Sequence, residues 1–199
     1  APAASLVRRA AWSAVHSVGR GCGSAAATES RAFPAYPRGA VAAAVCRADG
    51  AERRYLLARR SQAPQAGSWS LPGGALDLGE ALLVGAAREI EEECGLTAAS
   101  LRWHPVPITA TDAIFASEAE DGCGPEFHYL IAQCFAWHRP LEETAVAGDD
   151  VLEVAWLTPS ELAREAEEEG LWFSKSVTGV VQVAEQMIRA GVMIKEPDT

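Results

Sequence analysis

The chain has 199 residues, 49% of them hydrophobic and 22% charged, which suits one domain with a tail and supplies enough apolar mass for a core. No apolar run nears the roughly 18–20 residues that a membrane span needs. The formal charge of −10 argues against a nucleic-acid partner, whose phosphates require Lys and Arg, and suits a protein that collects divalent cations.

The charge is unevenly placed. Residues 1–30 hold Arg8, Arg9 and Arg20 against Glu29 alone, a local +2, so the remainder carries −12. In this first segment Val7, Ala11, Val15 and Val18 share one helical face, with Arg9, His16 and Arg20 opposite. An acid-poor, Arg-bearing amphipathic segment reads as an organelle transit peptide, mitochondrial or chloroplast, or else as the disordered tail of a cytoplasmic protein. Residues 1–33 are therefore set apart from a domain expected over 34–195. The five cysteines (Cys22, Cys46, Cys94, Cys123 and Cys134) are scattered without a CxxC pair, which speaks for free thiols in a reducing, intracellular compartment and against a zinc site.

In the domain, Val41 to Val45 reads as a buried strand, joined through an Asp49-Gly50 turn to a second over Arg54 to Ala58. A polar loop leads to Trp69-Ser70-Leu71-Pro72-Gly73-Gly74, and a helix is expected from Glu80 to Cys94, stopped by Gly95. Residues 100–116 are strand-like but interrupted by Pro105 and Pro107, and 117–125 form an acidic loop. Phe127 to Trp137 and Leu152 to Leu157 read as strands. Thr158-Pro159-Ser160-Glu161 has the form of a capping box opening a helix, and a last helix is expected over Ser174 to Ala190. Strands interleaved with helices make an α/β domain with a mixed sheet.

The chemistry concentrates on the first helix. Leu83, Ala86, Ala87, Ile90 and Cys94 form its core-facing stripe, while Glu89, Glu92 and Glu93 share another face at spacings of three and four. Like charges so placed repel, and near a helix C-terminus they also oppose the macrodipole. A bound cation offsets both costs, and magnesium, which takes oxygen ligands while keeping several waters, suits such a cluster. Arg88 stands four residues before Glu92, placed to pair with it, and Gly73 and Gly74 permit a loop conformation closed to other residues.

Residues 74–96 resemble the Nudix box, G-x5-E-x7-R-E-U-x-E-E-x-G-U with U aliphatic, at every fixed position from Gly74 and Glu80 to Gly95 and Leu96. The resemblance implies an α/β/α sandwich and a hydrolase that cuts diphosphate bonds with Mg2+, or Mn2+ in its place. It further implies metal ligands at Glu89, Glu92 and Glu93, with Glu80 near the metals or supporting the helix. Gly73, Gly74 and Gly95 would shape the loop, and Arg88 would orient the carboxylates. The base that activates water is then Glu89 or Glu92 of this cluster, or an acid on the distant loop (Glu118, Glu120 or Asp121).

Outside the box, Trp69 to Gly74, Phe127 to Ile131, Ala147 to Asp150 and Trp156-Leu157 resemble single-domain ADP-ribose pyrophosphatase-like Nudix proteins. That implies a small-molecule nucleotide substrate of ADP-ribose or ADP-sugar type, with no membrane or nucleic-acid partner and a monomer or homodimer as the working unit. A pyrophosphohydrolase that removes non-standard nucleoside triphosphates and a non-catalytic nucleotide sensor are the alternatives. Trp69, Phe127 and Tyr129 are candidates for stacking on a base, and Arg59, beside Arg60 at the end of its strand, for meeting phosphate. His128 points away from Phe127 and Tyr129 and reads as structural. Asp149 and Asp150 read as turn residues.

Overall fold

Apolar residues on both faces of one strand demand cover from two sides, and the first strand has that pattern. The computed structural model describes residues 36–62, 65–116, 125–139, 143–148, 150–167 and 176–196. The expected tail over 1–33, the acids Glu118, Glu120 and Asp121, and Asp149 lie outside these residues. Strand β1 (Arg38–Asp49) is buried without a break from Ala40 to Cys46. It pairs in parallel with β6 (Pro125–His138) and antiparallel with β2 (Glu52–Arg60). With β3 (Trp69–Ser70), β4 (Leu101–Trp103), β5 (Thr109–Ala116) and β7 (Val151–Leu157), these form one seven-stranded mixed sheet.

On one face of the sheet, Val41, Ala43 and Val45 meet Ala86, Ile90 and Cys94 of helix α1 (Leu82–Cys94). On the other, Ala42, Ala44 and Cys46 meet Leu162 of α2 (Pro159–Glu167) and Val177, Val180, Val181 and Ala184 of α3 (Val177–Arg189). The result is the expected α/β/α sandwich. Among the described residues no helix is long and apolar enough to cross a membrane.

The strands run longer than their apolar centres, because polar residues at both ends continue the ladder. Helix α1 begins two residues later than expected. Glu80 lies in a turn, its N–H donating to the Asp77 carbonyl, and Ala81 occupies the N-cap with no side-chain cap. Gly95, at φ 68°, ends the helix as expected and donates to the Glu91 carbonyl. The capping box of α2 also forms: Glu161 N–H donates to Thr158 Oγ1 at 3.1 Å, and Thr158 N–H donates to Glu161 Oε2 at 2.8 Å. Helix α3 starts at Val177, and residues 174 and 175 of its expected first turn are outside the described set.

One detail positions the site. The stretch from β3 onward wedges between β1 and β2. It pairs with β2 through Trp69 and Ser70, then passes to β1, where Ala43 N–H donates to Pro72 O and Val41 N–H to Gly74 O. The Gly73-Gly74 step is thereby pinned to the middle of the sheet, in front of α1.

Candidate active site

Gly73 adopts φ 153°, and a Cβ on it would overlap the Val41 carbonyl oxygen and stand 2.6 Å from Ala42 Cα. A Cβ on Gly74 would lie 2.5 Å from Glu89 Oε1. These two glycines are therefore required for opposite neighbours, one for the strand behind and one for the carboxylate in front. The Gly73 N–H donates to Glu93 Oε2 at 2.9 Å, so the loop and the end of α1 are joined directly.

Arg88 organises the other carboxylates. Its Nε and Nη2 form a fork on Glu80, at 2.9 and 3.0 Å, and Nη1 reaches Glu89 Oε1 at 2.9 Å and Glu92 Oε2 at 3.0 Å. Nη2 also donates to the Ala75 carbonyl. The expected Arg88–Glu92 pair is present, but the two-point bond to Glu80 is the larger anchor. It holds the Glu80 carboxyl down at about 2, reinforced by the Asp77 N–H. Glu80 thus supports the loop and helix through Arg88 and the Asp77 N–H.

Glu89 and Glu93 are different. Burial raises the Glu89 carboxyl, against the pull of Arg88. Burial likewise pushes Glu93 up to about 7, with the Gly73 N–H and the charge of Arg60 opposing and Glu89 and Asp150 adding to the rise. Glu92 is the open member, its side chain 59% exposed. Three carboxylates share the single guanidinium of Arg88, and a fourth, Glu93, leans on a backbone amide. Such an excess of hard, partly desolvated oxygen donors fits a divalent cation. Among the described residues no three His, Cys, Asp or Glu side chains form a ready metal cage. Magnesium does not need one, since it keeps waters and shares substrate phosphate oxygens.

Sequence reading missed the support at the far end of α1. Val146 N–H donates to the Cys94 carbonyl and Gly148 N–H to the Glu93 carbonyl, both at 2.9 Å, so residues 143–148 cap a helix end crowded with acids. A Cβ on Gly148 would run into the Glu92 carbonyl oxygen. Asp150 follows, its carbonyl bound by Ser61 and its carboxylate by Gln62 Nε2 at 2.6 Å, and its charge reaches Glu93. It is a turn residue, as read, but one beside the cluster. The Ala147-Gly148-Asp149-Asp150 run was the only signal for it.

The outer candidates separate. Trp69 is 6% exposed and part of the core beneath α2 and α3, and Phe127, at 7%, stacks on Phe115 with centroids 4.5 Å apart. Tyr129 is half-buried, and Arg38 lies over its ring and donates to its hydroxyl at 3.3 Å. Arg59 donates to Gly67 O and pairs with Glu153 at 3.7 Å, so it serves the β2–β3 loop. His128 bonds Asp112 at 2.8 Å on the opposite face from Phe127 and Tyr129, as its alternation required.

Comparison with known proteins agrees with this geometry. The NUDIX domain family model matches residues 36–178. Among solved structures, the Ap4A hydrolase of C. elegans in a binary complex superposes with a TM-score of 0.60 at 15% identity, covering 77% of this chain and 98% of that one. The NUDIX domain of Shewanella oneidensis NrtR, complexed with ADP ribose, gives 0.56 at 16% identity, covering 77% and 89%. The Nudix hydrolase RenU of M. smegmatis gives 0.55 at 20%, covering 80% and 90%. At these identities the likeness is one of fold. No curated protein sequence matches the chain.

Proposed function

The chain belongs to the NUDIX family of pyrophosphohydrolases, and from that premise we propose that it uses Mg2+, or Mn2+, to hydrolyse the diphosphate of a nucleoside diphosphate joined to a second moiety, of ADP-ribose or ADP-sugar type. The observation that carries this reading is the join between Gly73 and Glu93 beside the Arg88-held carboxylates. Glu89, Glu92 and Glu93 would hold the metal. Once bound, a divalent cation acidifies an attacking water and offsets the charge of the diphosphate.

The protein's own part is positional. Arg88 fixes the directions of Glu80, Glu89 and Glu92 at once, so those carboxylates do not reorganise when charge develops. Glu89 and Glu92 both accept from Arg88 Nη1, and in this reading one of them would take the proton of the attacking water. Attack at one phosphorus forms a P–O bond and breaks the bridging P–O bond. ADP-ribose plus one water thus gives AMP and ribose 5-phosphate. The substrate assignment is supported by the outer motif pattern and by the ADP ribose held in the NrtR domain.

The test is a panel of ADP-ribose, NADH, nucleotide sugars, diadenosine polyphosphates and oxidised dNTPs with magnesium, scored by products. AMP from ADP-ribose is the expected result. Pyrophosphate from an oxidised dNTP, with ADP-ribose left intact, would replace this substrate assignment with the triphosphate one.

A further inference from the structure

Residues Tyr129 to Gln133 of β6 pair with β1 on one side and with β5 on the other, so β5 closes that side of the sheet. Among the described residues β5 has no other strand partner, which leaves one edge of its backbone N–H and C=O groups without a ladder. Proteins commonly guard such edges with Lys, Pro or a strong bulge. Between Thr109 and Ala116 β5 carries no Lys, Arg or Pro, and its one charge, Asp112, is bonded to His128 at 2.8 Å. Its one register shift falls at its end, between Phe115 and Ala116.

The strand is held firmly on one face and uncovered on the other. Thr111 is hydrogen-bonded to Gln133 at 2.8 Å, and Phe115 stacks on Phe127 with centroids 4.5 Å apart. The opposite face is the α1 side of the sheet, because Ala110 pairs with Ala132, which packs in the cluster of Val41 and Ala86. There Ile114 is 59% exposed and Leu130 of β6 51%, with Ala110 and Asp112 exposed beside them.

A second copy of the same strand fits this edge in one register. Antiparallel strands related by a two-fold axis normal to the sheet keep their faces aligned only when the axis passes through a residue position. An axis at Asp112 sets two carboxylates directly opposite each other, which is unfavourable. An axis at Ala113 keeps Ala110 to Ala116 in the ladder and sets Asp112 of each copy opposite Ile114 of the other. Axes further along leave more of the strand unpaired. We propose that β5 is a self-complementary interface that joins two copies of this chain edge to edge about a two-fold axis at Ala113. The two sheets become one, and the apolar margins at Ile114 and Leu130 merge at its centre.

Sedimentation equilibrium of the full chain from about 1 to 100 μM should show a species of twice the chain mass. A chain that stays monomeric throughout overturns the proposal. Ile114→Asp sets a carboxylate opposite Asp112 of the other copy, while in the single chain that position is exposed beside His128. It should melt like the parent and weaken the dimer about tenfold or more. A folded Ile114→Asp chain that dimerises as the parent does overturns the proposal too.

Cysteine pairs test the register even if that variant fails to fold. Across the axis the two Cα atoms of residue 113 should be about 4.5–5.5 Å apart, within disulfide range. Residue 110 should lie about 20 Å from its counterpart. The background is a chain carrying Cys22→Ser and Cys123→Ser, whose other cysteines are buried. Mild oxidation should link Ala113→Cys into a disulfide dimer and leave Ala110→Cys unlinked. Linkage at 110 alone, at both positions or at neither overturns the proposal.

Discussion

Gly148 packs against the last turn of α1 so closely that a Cβ on it would meet the Glu92 carbonyl oxygen, while its own N–H caps the Glu93 carbonyl at 2.9 Å. The β6–β7 connection thereby sets where two of the site's carboxylates stand. Gly148→Ala should force the loop away from the helix and cost about 1–3 kcal/mol, the usual range for overpacking. Turnover should fall with it. Urea melts and steady-state rates on the same preparation check this, and an alanine variant with both values unchanged would show that the loop yields freely.

Glu92→Gln and Glu93→Gln should each lower metal-dependent turnover by orders of magnitude while the fold persists. Glu92 is exposed, and the Gly73 N–H can still donate to the amide oxygen at position 93. Removing one of several like charges should leave metal-free melting equal to the parent's or slightly higher. Parent-like rates in both variants would remove these residues from the site.

How far the sequence discloses this arrangement depends on the range of each interaction. The stop of α1 at Gly95 and the Thr158–Glu161 box follow from spacings of a few residues and stand where the spacing puts them, whereas α1 itself starts two residues later than its pattern. The buried strands follow from continuous apolar runs. The Arg88 fork on Glu80 is hidden because Glu80 lies outside the helix, in a turn whose geometry no periodicity describes. The support from Val146 and Gly148 comes from a distant loop, and the wedge of residues 69–75 between β1 and β2 is a matter of sheet register. Aromatic type alone did not separate Trp69, which is core, from Tyr129, which keeps a free margin.

That separation predicts different phenotypes. Trp69→Ala removes a packed core side chain and should destabilise by about 3–5 kcal/mol, with any kinetic loss following from unfolding. Tyr129→Ala should melt near the parent. If Tyr129 stacks on the base, the change should raise KM by roughly 5- to 150-fold, the equivalent of about 1–3 kcal/mol, with less effect on kcat. Thermal melts followed by kinetics on the folded variant distinguish the two. A Tyr129→Ala enzyme with unchanged KM excludes it from the grip.

Glu185 on α3 sets part of the acid stability. Arg53 holds it through two bonds, at 2.7 and 2.6 Å, Tyr55 donates to it at 2.9 Å, and Arg189 lies 3.8 Å away. The Arg53 bonds, helped by Tyr55, lower the carboxyl below its ordinary value against the opposing effect of burial. The folded state therefore binds the proton less readily than the unfolded state. The contribution to stability is complete above the unfolded value near 4.5 and is lost as pH falls through the lower folded value. Glu185→Gln should cost about 1.5–3 kcal/mol at neutral pH and flatten the loss of melting temperature below pH 5. An acid limb as steep as the parent's would assign that limb to other carboxylates.

Arg88 distinguishes a geometric role from a purely electrostatic one. Its planar fork satisfies Glu80 at two points while Nη1 bridges Glu89 and Glu92, and a lysine ammonium keeps the charge but cannot reproduce that pattern. If Arg88 acts only by neutralising the cluster, Arg88→Lys should be close to the parent in metal affinity and rate. The geometry favours the other outcome. Arg88→Lys should retain the fold, bind magnesium about 10- to 100-fold more weakly, as changes to outer supports of metal ligands do, and turn over correspondingly slowly at limiting metal. Arg88→Gln, which loses charge and fork together, should be worse on both counts. Magnesium titrations of rate for the parent and both variants decide between the two, and a lysine variant indistinguishable from the parent would reduce Arg88 to a counter-charge.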